Sequence, residues 1–196
     1  MKVTSALAAC LRQATRDAHR RLDSHSVLRP LISPRLSYEE YTMALLALYP
    51  AQCRLEEAVA RGLHTQLLDY PLRPRAPALA DDLVSMSQSL PVIVETVTLE
   101  VCRPGQLIGL LYVLEGARLG SRIIAHNVHR TLGKQVPSRY FTVAQDDDSW
   151  SAFWQFAERH CPEQEQMAAV SAASAAFQLF LSGLDECQTT APLGCA

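Results

Sequence analysis

The sequence predicts an all-α protein folded as one multi-helix bundle, and three observations carry that prediction. Apolar residues recur at spacings of three and four along most of the chain, alternation of the β type is scarce, and prolines fall where the helical pattern breaks. With 196 residues, 48% hydrophobic and 19% charged, the chain can bury one substantial core, and no internal repeat or low-complexity linker divides it. Residues 1–188 are expected to form a single domain, followed by a short C-terminal tail at 189–196.

The elements follow in order. A first helix is predicted from about Ser5 to Ser24, with Leu7, Leu11, Ala14, Ala18 and Leu22 within about 80° on its core-facing side. A second opens at Ser37, where Glu40 three residues later completes a capping-box pattern, and extends to about Gly62 with a kink expected at Pro50. Three prolines interrupt Asp69–Pro77 before a helix from Ala78 to about Ser89. Pro91 and Pro104 read as first-turn prolines, opening a short helix to Val101 and a long one to about Leu132. After a polar turn over Gly133–Asp148 come a helix around Trp150–His160 and a last one from Pro162 to about Glu186, seven in all.

Charge and cysteine usage narrow the function. Eighteen basic residues against twenty acidic ones leave a formal charge of −2, which argues against nucleic acid as a partner. Six cysteines stand singly with no C-x-x-C pair, so a zinc site or dithiol motif is not expected, and free thiols in a reducing cytosol are. Met1–Cys10 superficially resembles a lipoprotein signal, but the helical pattern continues through Cys10, so export is not expected. No uninterrupted apolar run approaches the ~18–20 residues of a spanning helix, and a cytoplasmic protein without membrane attachment is the expectation.

Two features could carry chemistry. His19 lies on the flank of the first helix's apolar stripe, and Arg12 projects about 20° from it on the same edge, roughly 10 Å away along the axis. A neutral imidazole there suits iron ligation, and a guanidinium two turns away could pair with a carboxylate of a bound macrocycle. A lone histidine on a helix flank is more often a satisfied boundary residue than a ligand. Among the other histidines, His25 lies beyond the helix end, and His126 and His129 lack the Glu-x-x-His companion of a bundle metal site.

The second feature is a concentration of glycine. Four of the eight glycines, Gly105, Gly109, Gly116 and Gly120, fall in the helix opened by Pro104. At about 100° per residue they occupy one strip some 60° wide, with Tyr112 and Asn127 on it. Each interior glycine costs ~0.8–1 kcal/mol relative to alanine, so the three interior ones together cost roughly 3 kcal/mol. Something must approach this backbone closely: either a second helix or a flat ligand.

Leu11-Arg12-Gln13-Ala14-Thr15-Arg16-Asp17-Ala18-His19 resembles the N-terminal signature of heme oxygenases, and Tyr112-Val113-Leu114-Glu115-Gly116-Ala117-Arg118-Leu119-Gly120-Ser121 resembles their glycine-rich distal helix. The order and separation match, and further likeness at Arg75-Ala76-Pro77 and Ala176-Phe177 extends it over most of the chain. It is closest to the short bacterial members, including those that serve bacteriophytochromes. The resemblance implies heme b sandwiched between a proximal and a distal helix and opened oxidatively to biliverdin, CO and ferrous iron. On it His19 is the axial iron ligand, Arg12 and Tyr112 are propionate contacts, Gly116 and Gly120 are the catalytic bare backbone, and Phe177 is a wall residue. Arg118 lies about 160° from the strip and is left out.

It also implies O2 and an external electron donor, a ferredoxin or reductase, since no flavin or nicotinamide fingerprint is present. A bacteriophytochrome is a candidate acceptor of the product. A peroxidase-like distal acid would favour O–O cleavage, whereas glycine backbone crowds oxygen toward the ring edge and leaves protons to ordered water. Many members carry an aspartate where this chain has Ala117, which leaves open what anchors that water. Two alternatives stand beside this reading. One is a heme carrier or sensor without turnover; the other is a thiaminase-like or di-iron enzyme, with Cys102, Glu95 and Glu100 as its foothold.

Overall fold

Ser5 starts the first helix by accepting a hydrogen bond from the Ala8 amide (3.3 Å), one of the orphan donors every helix start leaves. The structure, a computed structural model, describes residues 5–93, 99–143 and 148–190, and every regular element among them is helical. These are α1 (Ala6–Ser24), α2 (Tyr38–Thr65), α3 (Ala76–Ser85), α4 (Pro104–Leu132), α5 (Arg139–Thr142), α6 (Ser149–His160) and α7 (Gln166–Thr190), with 3-10 turns at Arg29–Ile32 and Glu163–Glu165. The predicted all-α architecture is thus present.

α7 is the centre of the bundle and packs against α4, α1 and α2. Its small residues Ala169, Ala173 and Ala176 are fully buried, and Phe177, Phe180 and Leu184 extend the same face. The stretch Glu163–Thr189 is long and apolar enough to cross a membrane, with a mean hydropathy of 1.5 in its most apolar window. That narrows the expectation drawn from uninterrupted runs, because Ser171, Ser174, Gln178 and Ser182 punctuate the stretch; its neighbours are the other core helices. α3 and α5 close one side of α2 and α4, and α6 lies along α4.

The capping box of α2 forms as its sequence predicts: Ser37 Oγ accepts from the Glu40 amide (3.1 Å), and Glu40 Oε2 from the Ser37 amide (2.8 Å). The helix continues through Pro50 to Thr65. Other boundaries differ from expectation for identifiable reasons. α3 begins at Ala76 because the Glu56 carboxylate, from α2, accepts from the Arg75 and Ala76 amides (2.6 and 3.0 Å). It stops at Ser85, four residues early, because Ser87 turns left-handed (φ 59°) and the Gln88 amide returns to the Leu83 carbonyl (2.9 Å).

The short helix predicted over Pro91–Val101 is absent at 91–93 and 99–101; residues 94–98 lie outside those described. Val101 instead packs across α2 at Gly62, where a Cβ would come within 2.6 Å of Val101 Cγ1, and the Val101 carbonyl accepts from Gln66 Nε2 (3.3 Å). Within the predicted turn, α5 forms because the buried Asp82 accepts from the Arg139 and Tyr140 amides (3.0 and 2.8 Å). The last helix is preceded by the 3-10 turn Glu163–Glu165, so α7 starts at Gln166. On α1 the buried face is Leu7, Ala8, Leu11 and Thr15, while Ala14, predicted as core, is exposed. Thr15 can take the core position because its hydroxyl donates back to the Leu11 carbonyl (2.7 Å).

Candidate functional site

The glycine strip of α4 serves two purposes. A Cβ on Gly105 would stand 2.3 Å from the Glu165 carbonyl oxygen, and one on Gly109 would stand 2.1 Å from that of Ala169. Both neighbours are backbone and cannot yield, so here the close approach is a helix contact with α7 and the turn before it. Further along, a Cβ on Gly116 would meet only the Trp150 ring, at 3.9 Å, and one on Gly120 would meet nothing within 4 Å. α4 and α7 are therefore pinned together at their N-terminal ends, and the second half of the strip is bare.

His19 stands level with this bare half. Its ring lies 5.9 Å from that of Phe177 on α7, and His25 reaches Asp185 further along the same helix, so α1 and α7 run parallel. α4 runs parallel to α7 as well, because Gly105 meets Glu165 and Gly109 meets Ala169 and Ala173. Continued at 1.5 Å per residue in both helices, that register sets Gly116 level with residues 176–180, and hence with Phe177 and His19.

The histidine is half out in solvent and already oriented. Its Nδ1 is 2.8 Å from Asp23 Oδ2, one turn further along α1. Nε2 has no partner among the described residues and is the ring nitrogen left for a ligand. Arg12 is exposed and has no ion pair with a described residue. Phe177 is 4% exposed and acts as floor beside His19. Tyr112 is half-buried, enclosed by Trp150, Phe153 and Trp154 of α6 at 5.8, 6.3 and 6.0 Å between ring centres.

Other sequence candidates are engaged elsewhere. Asn127, on the strip by projection, donates to the Leu31 and Ser33 carbonyls (2.9 and 2.8 Å) and ties the first 3-10 turn to α4. His25 accepts from the Val27 amide at Nδ1 (3.3 Å) and meets Asp185 at Nε2 (3.1 Å), which occupies both ring nitrogens. His129 pairs with the Ser138 hydroxyl (2.7 Å). Among the described residues no group of three His, Cys, Asp or Glu could hold a metal ion; Glu95, of the di-iron alternative, lies outside them.

The back of α4 carries a buried polar network. Arg118, which the helical projection turned away from the strip, pairs there with Glu115 (3.1 Å). Arg75, 2% exposed, donates to Ser121 Oγ (3.0 Å) and lies 4.8 Å over the Tyr140 ring, whose hydroxyl donates to Gln52 (2.9 Å). Burial pushes the Glu115 carboxyl above its ordinary range, against the opposing pull of Arg118 and Tyr70. The Tyr70 phenol is raised by the same loss of water, with the Glu115 charge adding to it.

Four side chains at the bare strip escaped the sequence reading. Leu119 and Ile123 are 56% and 65% exposed and lie on the strip's own azimuth, at about −40° and 0° from Gly105. Projecting apolar residues as well as glycines would have found them. Trp150 and Trp154 reach the strip from α6, and no spacing within either helix signals that contact.

An open, flat apolar surface of bare backbone, Leu119 and Ile123, level with a histidine whose Nε2 is free, fits a planar macrocycle with an axial metal. Bundles of this form that bind such a group are all-helical heme proteins, and the comparisons with known proteins specify which. A family profile described as heme oxygenase matches residues 5–186. A heme oxygenase of Xanthomonas campestris pv. campestris (strain 8004) is 30% identical over 149 residues, which is 67% of this chain and 86% of that protein. In fold, the heme oxygenase from Leptospira interrogans superimposes with a TM-score of 0.72 at 18% identity, covering 93% of this chain and 100% of that one. The NO- and CO-bound heme oxygenase from Neisseria meningitidis gives 0.73 at 19%, covering 96% and 94%. This chain belongs to the heme oxygenase family.

Proposed function

We propose that this chain binds heme between α1 and α4 and opens it, with O2, to biliverdin, CO and ferrous iron. The observation that carries the site assignment is the register: a histidine with Nδ1 held by Asp23 stands level with the bare half of the glycine strip. Heme is here the substrate, and when bound it supplies both the iron that takes up O2 and the meso carbon that is oxidised. The residues do the rest. His19 Nε2 would hold the iron, with Asp23 orienting the ring from its Nδ1 side. Arg12 meets one propionate and Tyr112 the other, while Phe177 supports the proximal side. Gly116 and Gly120 let the ring close on α4 and place no acidic side chain above it. Ala117 is exposed and brings none either, so protons arrive through ordered water.

Electrons come from a separate ferredoxin or reductase, on the strength of the same family likeness. The cytoplasm is the proposed compartment. A bacteriophytochrome is the proposed acceptor of biliverdin, on the strength of the likeness to the short bacterial members.

The test is to add hemin and then a reductant in air. Replacement of the Soret band by biliverdin absorbance is expected, with His19→Ala abolishing it. A Soret band that persists without ring opening would make the chain a heme carrier. No binding of hemin at all would end both readings.

A further inference from the structure

α1 is held to the bundle unevenly. Its fully buried side chains, Leu7, Ala8, Leu11 and Thr15, all lie in the first half of the helix. Over residues 16–24, the half that carries His19, Ala18 and Leu22 are partly buried against the core and every other side chain is exposed. A half-helix with so little buried apolar surface has little packing to fix its place. Yet His19 stands in a defined position, its ring 5.9 Å from that of Phe177.

The tie comes from the turn that follows. His25, with a side chain 11% exposed, is the C-cap of α1, and its amide returns to the Leu22 carbonyl (3.1 Å). Its carbonyl accepts from the Leu28 and Arg29 amides (3.0 and 2.8 Å). Its ring accepts from the Val27 amide at Nδ1 (3.3 Å) and meets Asp185 Oδ1 at Nε2 (3.1 Å). One turn beyond Asp185 on α7, Gln188 Nε2 donates to Ser26 Oγ. The chain leaving α1 is thus gripped by two polar side chains of α7. Hydrogen bonds are directional, so two of them from one helix fix a position that two partly buried apolar side chains leave loose. α7 is also the helix locked against α4 at Gly105 and Gly109. A clasp on α7 therefore sets α1 against α4, and with it the width of the gap between His19 and the bare strip.

We propose that His25 and Asp185 are positioning residues for His19: their contact holds the second half of α1 at the distance from α4 at which His19 reaches a metal at the centre of a flat ring lying on the strip. This rests on the heme reading above and adds to it the device that sets the spacing. Without the clasp the half-helix draws back toward solvent, and His19 loses its reach while the strip is untouched.

A double-mutant cycle with His19→Ala reads this coupling. The Asp185 side chain is 63% exposed, so Asp185→Ala should fold with a urea midpoint near that of the wild type. It should weaken hemin binding by about tenfold, the loss typical when a residue that orients a metal ligand is removed. In His19→Ala, with no ligand left to position, the same substitution should change hemin affinity by less than about twofold. Iron-free protoporphyrin, which makes no bond to His19, should bind the wild type and Asp185→Ala equally. In the ligand-free protein, amide exchange over residues 16–24 should quicken by about tenfold in Asp185→Ala and stay unchanged over 6–15. Should Asp185→Ala not fold, the Ser26→Ala, Gln188→Ala double variant removes the second tie and takes its place.

An equal loss of hemin affinity with and without His19, an unchanged affinity, or equal weakening of the iron-free ring would overturn the proposal and leave the heme reading standing. So would exchange that quickens along the whole of α1 or nowhere in it. Hemin binding that is absent from the wild type, or indifferent to His19→Ala, would remove the heme reading of α1 and the proposal with it.

Discussion

Asp23 shows how much one side chain can decide. It is an exposed acid one turn from His19, and by charge alone the pair would count as a weak surface ion pair. Its place 2.8 Å from Nδ1 leaves Nε2 as the ring nitrogen without a partner among the described residues. Asp23→Asn should leave the fold intact and weaken hemin binding by about tenfold or more, read from a Soret titration. His19→Ala should retain a ring-stacked, weakly held heme and lose the axial signature in its spectrum. The shared edge of His19 and Arg12 was legible in the sequence because α1 is regular from its cap onward, whereas Asp23 escaped the reading although its spacing of four from His19 carries the signal. Trp150 and Trp154 were not legible, because their contact with Tyr112 joins two helices separated by a turn, and nothing in either helix's period encodes it.

At the scale of the element, α4 asks opposite things of the same residue type. Gly109→Ala forces a methyl group onto the Ala169 carbonyl and should destabilise the protein by about 1–3 kcal/mol, measured by urea unfolding. Gly120→Ala meets nothing and should stabilise the ligand-free protein by ~0.8–1 kcal/mol through helix propensity. Gly120→Leu should fold and fail to turn heme over. Normal turnover in that variant would mean the bare half of the strip does not face the ring. The ends of elements show where sequence reasoning stopped. α1, α2 and α4 begin at signals carried in their own first turns. α3 and α5 begin where Glu56 and Asp82 happen to reach them from other helices. The left-handed residues after α2 and α3 are Leu67 and Ser87, neither of which announces a helix end as glycine would. Leu67 is 90% exposed, so Leu67→Gly should gain stability by relieving the backbone with little packing lost, visible as a higher urea midpoint.

At the scale of the molecule, a buried charged network on the back of α4 is carried inside an otherwise apolar bundle. The Glu115 carboxyl is raised by burial, so between its unfolded value and its higher folded one the native state binds more protons than the unfolded state. Its contribution to stability therefore falls as pH rises through that window and levels off above it. Glu115→Gln should lack this dependence. The difference in unfolding free energy between wild type and variant, followed from pH 4 upward, should shrink and then become constant; a difference that grows with pH would reverse the assignment. The bundle and its helix order could be read from periodicity because most of the core is local stripes meeting. This network could not, since Glu56, Arg75, Glu115 and Tyr140 come from four separate parts of the chain.

The division of the glycine strip also bears on how this protein can be mutated. Substitutions at Gly105 and Gly109 should remove the protein from the cell, and substitutions at Gly116 and Gly120 should leave it abundant but colourless. A library scored once for the amount of protein and once for pigment would give two profiles of α4 that agree over its first turns and part company after Tyr112, drawing the boundary between architecture and chemistry inside a single helix.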